Sequence, residues 1–217
     1  LEAFSRGLAQ MAAQCAIRLA GGDTTAGPLN IGITVMGSVP AGQALLRSCA
    51  RDGELLYVSG PLGAAAAALP LFTDPPPFLA EAVRCPLLQA FWQPQPQLAL
   101  GYWLRGKAGA VIDISDGLLA DAGHIAAESG VQLQIHAQQL PLAGAAVQAD
   151  AAQALQWALA GGDDYQLLFS LSSVHAAELA QLFPQARCIG RVSTGQGVQL
   201  LDACGHALPV EQRGYQH

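Results

Sequence analysis

From Ala108 to its C-terminus the chain switches repeatedly between two hydrophobic periods, and that switching restricts its fold more than any other feature. Short apolar runs at 110–114, 131–135, 165–170 and 188–192 read as strands. Between them, 117–129, 151–160 and 174–183 carry apolar residues at helical spacing, and 198–201 with 206–210 reads as a closing hairpin. Mixed elements on short connectors predict an α/β chain, built as α+β layers.

The N-terminal part is sparser. Phe4, Leu8, Met11, Ala12, Cys15 and Leu19 predict a helix over 1–20, stopped by Gly21-Gly22. Leu29, Ile31, Ile33 and Val35 alternate with Asn30, Gly32 and Thr34, which predicts a half-buried strand. A short strand is expected over 55–59 and an alanine-rich helix over 63–71. Another helix is expected over 78–92, between Pro75-Pro76-Pro77 and Gln93-Pro94-Gln95-Pro96-Gln97.

Composition narrows the function. Of 217 residues 52% are hydrophobic, enough for a sizeable core, whereas only 12% are charged and the net charge is −6. No basic stripe is available to neutralise phosphates along a nucleic acid, so no nucleic-acid partner is expected. No run approaches the ~20 apolar residues of a membrane helix, and no signal peptide is expected. A cytoplasmic protein is expected. Because the chain lacks an initiating Met and opens inside a helix, its natural start is expected upstream of Leu1. The five cysteines form no CxxC pair and the five histidines no HxxxH pair, so a disulfide framework and zinc chemistry are not expected.

Acid is scarce, and three clusters of it stand out. Gly21-Gly22-Asp23-Thr24-Thr25 is a glycine-rich turn whose N–H groups suit phosphate while Asp23 repels it; a divalent cation between the two reconciles them, and a plain helix C-cap is the alternative. In Ile112-Asp113-Ile114-Ser115-Asp116-Gly117 a carboxylate sits inside an apolar strand, where burial without a partner is costly. Asp113, Ser115 and Asp116 at a strand end suit a hard cation such as Mg2+, although Ser115 or Asp116 could equally be the N-cap of the next helix. Gly161-Gly162-Asp163-Asp164-Tyr165 is a turn whose acids are either solvated or functional. With no GxxxxGK[ST], GxSxG or HExxH motif, the remaining chemistry is metal-bound phosphate held by carboxylates and loop amides.

GGDTT at 21–25, LRSCARDG at 46–53, IDISDGL at 112–118, GGDDY at 161–165 and GYQH at 214–217 occur in this order, and together they resemble the thiamine-monophosphate kinase family. That family lies in the superfamily of aminoimidazole ribonucleotide synthetase. The resemblance implies a two-domain aminoimidazole ribonucleotide synthetase-like fold with its first domain incomplete. Residues 1–52 correspond to the C-terminal half of an N-terminal ATP/metal-binding and dimerisation domain, and 53–217 to a C-terminal α/β domain. It implies Mg2+- and ATP-dependent phosphorylation of thiamine monophosphate to thiamine diphosphate, by a homodimer. It assigns ATP to Gly22, Asp23, Arg47 and Ser115, metal to Asp23, Asp113 and Asp116, and thiamine to Asp163 and Tyr215, with no protein nucleophile.

The chain departs from the family pattern at Ala26, Gln93 and Gln97, where basic residues are usual, and at Asp163 and Gln166, where Glu is usual. A selenophosphate synthetase-like enzyme of the same superfamily is one alternative, and a relative that binds nucleotide or thiamine phosphates without turnover is another.

Overall fold

Six of the apolar runs are strands: β1 (Leu55–Val58), β2 (Ala108–Asp113), β3 (Gln132–His136), β4 (Leu167–Leu171), β5 (Arg187–Ser193) and β6 (Gly197–Leu201). They form one sheet in the order β2-β4-β1-β5-β3-β6. Every neighbouring pair is antiparallel except β3 and β6. The structure is a computed structural model and describes residues 1–73, 78–210 and 214.

The described helices are α1 (Glu2–Gln14), α2 (Ala64–Ala68), α3 (Pro70–Thr73), α4 (Glu81–Trp92), α5 (Leu98–Leu104), α6 (Leu118–Ser129), α7 (Gly144–Ala149), α8 (Ala154–Ala160) and α9 (Ala176–Leu182). Successive strand side chains point to opposite faces, and here both faces are covered. Leu56, Val58, Leu133, Ile135 and Leu168 pack beneath Leu118, Ala122 and Ile125 of α6 and Ala158 of α8. Tyr57, Val111, Phe169 and Leu171 face the other way, against Leu100 and Leu104 of α5 and Leu179 of α9. Tyr57 and Phe169 stack with centroids 5.5 Å apart. Strands buried on both faces read as continuous apolar runs, which is why their positions were legible. A smaller cluster joins α2, α4 and α7 through Ala67, Ala68, Val83, Leu87 and Ala146.

Strand β2 lies at the sheet edge and carries a register shift between Ala108 and Val111. There Ser170, fully buried, accepts the Ala110 N–H (2.9 Å) and donates to Glu54 (2.6 Å), so the irregular stretch leaves its polar groups paired.

The chain divides into two units, Leu1–Pro40 and Ala41–His217. In the first, α1 ends at Gln14, short of Gly21-Gly22. Ala16 turns left-handed (φ 54°), and the Ile17 N–H closes back on the Ala12 carbonyl (2.9 Å). The strand expected over 29–35 is absent: Leu29, Ile31, Ile33 and Val35 are exposed and carry no ladder. Alternation prepares one face of a strand, but a ladder also needs a partner, and this unit supplies none among its described residues. The closing hairpin shrinks to one bridge, Leu201 to Ala207. Helices α5 and α7, short and rich in alanine and leucine, were not expected.

Candidate active site

The site is built where β2 ends. Asp113 is the last residue of that strand and is exposed, with Ile114 beside it fully buried. This corrects the expectation of a carboxylate buried in an apolar strand: the run reaches the protein surface at Asp113, so its charge stays in water. Neither Ser115 nor Asp116 caps α6 through its side chain. The cap position belongs to Gly117 (φ 113°), whose carbonyl accepts the Asp121 N–H (3.0 Å).

The loop after Asp113 is held from both sides. From α6, the Asp121 carboxylate accepts the backbone N–H groups of Ser115 (3.0 Å) and Asp116 (3.1 Å) on a single oxygen. Asp121 is only 2% exposed, and burial pushes its carboxyl above the ordinary carboxylate range. The two N–H bonds oppose that shift, and the charges of Asp116 and Asp113 add to it.

From the other side comes the turn that follows α8. The N–H groups of Asp163 and Tyr165 donate to the carbonyls of Ser115 (3.0 Å) and Ile114 (2.8 Å), and the Ile114 N–H donates to the Gln166 carbonyl (2.8 Å). The second and third acidic clusters are therefore one structure. Gly162 permits this contact, because a Cβ there would lie 2.4 Å from the Ser115 carbonyl oxygen. Gly214 approaches the same loop: its Cβ position is 2.5 Å from the Asp116 carbonyl oxygen. Tyr215, next to it, lies outside the described residues.

Asp163 (φ 64°) and Tyr165 (φ 49°) both adopt left-handed backbone, unusual for residues with side chains. The Tyr165 hydroxyl donates to Asp163 Oδ1 (3.1 Å). Burial, that hydrogen bond, and the charges of Asp163, Asp113 and Asp116 all hold the phenol above its ordinary value. The hydroxyl thus lies in the field of three carboxylates, one of them, Asp163, bonded to it. Asp164 points elsewhere. Both its oxygens accept the Gly63 N–H (3.0 and 2.9 Å), at the start of α2, and burial raises its carboxyl to about 7.

Arg47 lies at the far end of α6. Its guanidinium is 4.0 Å from Glu128, and its carbonyl accepts the Ser129 hydroxyl (3.0 Å). The 12 residues of α6 put roughly 18 Å between it and the acidic loop. Asp23 and Gly22 belong to the first unit and are exposed, with Asp23 Oδ1 accepting the Thr24 N–H (2.7 Å).

By chemistry the donor set of the loop suits a hard cation, two carboxylates and a hydroxyl, oxygen throughout, on a backbone fixed by five hydrogen bonds with Asp121 and the 163–166 turn, although Asp113, Asp116 and Asp163 are not drawn into one close ligand cluster. A softer trio, Asp202, Cys204 and His206, follows the opposite edge strand with donor atoms within 4.8 Å of one another. Its carboxylate is already committed, to the Cys204 and His206 N–H groups (2.8 Å each) and to the imidazole (3.4 Å).

The thiamine-monophosphate kinase of Salmonella typhimurium is 37% identical over 224 aligned residues, covering 100% of this chain and 68% of its own length. The chain belongs to the thiamine-monophosphate kinase family. The crystal structure of the thiamine-monophosphate kinase from Stenotrophomonas maltophilia superposes with a TM-score of 0.81 at 38% identity, covering 95% of this chain and 67% of that one. The structure of AaThiL complexed with AMPPCP and TMP gives 0.67 at 32% identity, covering 80% and 54%. No family model matches the chain. These neighbours bear out the aminoimidazole ribonucleotide synthetase-like fold. The sequence reading of this thiamine-monophosphate kinase family member names Asp113, Ser115, Asp116 and Asp163, which lie on two loops that hydrogen-bond to each other. It misses Asp121 and the separate task of Asp164, for which the only signal was an acid in the first turn of a helix and a second acid in a turn.

Proposed function

We infer that this chain is the larger part of an ATP-dependent kinase that phosphorylates thiamine monophosphate to thiamine diphosphate. The observation that carries the reading is the convergence of the IDISDGL loop, the GGDDY turn and Gly214 on one surface, in a chain 37% identical to a thiamine-monophosphate kinase over its whole length.

A phosphate oxygen of thiamine monophosphate attacks the γ-phosphorus of ATP. The new P–O bond forms as the bond to the β–γ bridging oxygen breaks, and ADP leaves with that electron pair. The acceptor is already anionic near neutral pH, so no protein nucleophile and no strong base are required. The barrier is repulsion between two anions. Asp113 and Asp116 are assigned to hold Mg2+ and Ser115 to face the nucleotide; Asp23 is assigned to metal and ATP. Held by these residues, a divalent cation would supply the positive charge that offsets the phosphate charge the loop acids alone would repel. Gly22 and Arg47 are assigned to ATP, and Asp163 and Tyr215 to the cationic thiazolium, which favours a carboxylate and an aromatic ring.

We further assign residues 1–52 to the C-terminal half of an ATP/metal-binding and dimerisation domain and 53–217 to the second domain, in a cytoplasmic homodimer. No helix among the described residues is long and apolar enough to cross a membrane. The test is incubation of the protein with ATP, Mg2+ and thiamine monophosphate, with thiamine diphosphate followed as thiochrome fluorescence after chromatography. Product that requires both ATP and Mg2+ is expected. Nucleotide binding without product would move the assignment to a silent relative.

A further inference from the structure

Asp121 is not among the residues assigned to ATP, metal or thiamine, yet the residue is buried, at 2% exposure. Among the described residues no cation pairs with it. Its Oδ2 instead takes two consecutive backbone N–H groups, Ser115 at 3.0 Å and Asp116 at 3.1 Å. Burying a carboxylate without a counter-charge is costly, and what it gains in return here is the pair of N–H groups. What the arrangement does supply is direction. Two N–H groups gathered on one oxygen fix the peptide planes on either side of Ser115, and with them the directions in which the Ser115 and Asp116 side chains leave the backbone. The carbonyl of Ser115 is held at the same time by the Asp163 N–H (3.0 Å), so the loop is set by a side chain from α6 and a main chain from the 163–166 turn.

We propose that Asp121 is a positioning residue, whose buried carboxylate sets the backbone from which the oxygen donors of Ser115 and Asp116 reach a divalent cation. The proposal rests on the kinase reading, in that it takes the loop to be the metal site. Asp121 itself stays out of contact with metal and substrate.

Three proteins test it: wild type, Asp121→Ala and Asp121→Asn. Amide hydrogen exchange at Ser115 and Asp116 is read without metal, and Mn2+ uptake by electron paramagnetic resonance. Asp121→Ala is expected to speed exchange at these two amides at least about tenfold and to weaken Mn2+ binding by about 10–100-fold, the range for lost outer-shell partners. Asp121→Asn keeps an oxygen able to accept both N–H groups, and is expected to recover most of the lost affinity. An Asp121→Ala protein with wild-type exchange and wild-type Mn2+ affinity overturns the proposal. If the alanine variant does not fold, the asparagine variant decides: Mn2+ affinity lost with exchange protection kept means that charge, not position, is what Asp121 provides, and that also overturns it. Wild-type protein that takes up no Mn2+ refutes the metal reading of the loop, and the positioning role with it.

Discussion

Asp164 gives the sharpest test of how the site is held together. Its carboxyl is raised from near 3.8 to about 7, with burial as the main cause. Hydrogen bonds from the start of α2 oppose the shift and the charge of Asp163 adds to it. The folded chain therefore holds a proton on Asp164 between about pH 4 and pH 7 that the unfolded chain has released. The stabilisation is complete below about pH 4 and is lost as pH rises through 7. Three pKa units at about 1.4 kcal/mol each set a ceiling of about 4 kcal/mol. The residue as a whole is half-buried although its carboxylate is turned onto α2, so some screening applies and about 2–4 kcal/mol is the expected range. Against a total stability of about 5–15 kcal/mol this is a measurable fraction.

The perturbation is Asp164→Asn, which cannot titrate. Urea unfolding followed by tryptophan fluorescence, at intervals between about pH 4 and pH 8, gives the stability of both proteins. Wild type should lose about 2–4 kcal/mol more than the variant across that interval. The constant offset between them depends on how the amide meets the Gly63 N–H, and it does not enter the test. Asp121 also titrates above its ordinary range, but it is present in both proteins and cancels. Parallel profiles would refute the reasoning, because they would mean that Asp164 is ionised in both states and that the α2 N-terminus stabilises the charge fully.

The remaining predictions concern the loop and the core. Asp113→Asn should cut thiamine diphosphate formation by at least about 100-fold in the thiochrome assay, while the unfolding free energy from urea changes by no more than about 0.5 kcal/mol, since the side chain is exposed. Gly162→Ala places a Cβ 2.4 Å from the Ser115 carbonyl oxygen and should destabilise the protein by about 1–3 kcal/mol while loosening both motifs; unchanged stability and activity would show that the two loops part without cost. Phe169→Ala removes the fully buried ring that stacks on Tyr57 and should cost about 3–5 kcal/mol in the same unfolding assay, the largest core effect expected in the sheet.

Legibility in the sequence followed the physics of each element. Strands β2 and β4 are legible within a residue or two because both of their faces are covered and they read as apolar runs, whereas β3 is legible by its alternation, with Leu133 and Ile135 buried between Gln132, Gln134 and His136. The run at 29–35 carried an equally clear pattern and formed no strand, because a pattern specifies a face whereas a ladder needs a neighbour. The acids divide in the same way. Asp113, Asp116 and Asp163 were conspicuous beside glycines in an acid-poor chain. Asp121 sits mid-pattern in DGLLADAG, where an acid in the first turn of a helix reads as ordinary dipole compensation. Only the fold shows that its carboxylate turns back to Ser115 and Asp116 rather than out to water. Asp163 and Asp164, adjacent and chemically identical, were indistinguishable as letters. The left-handed backbone at Asp163 and Tyr165 turns the side chains of the GGDDY turn to different sides, sending one carboxylate toward the Tyr165 hydroxyl and the other onto the N-terminus of α2. A composition-level reading therefore finds where charge is gathered. Which of those charges meets the ligand, and which holds the others in place, is decided by backbone dihedrals and by the hydrogen bonds that burial makes obligatory.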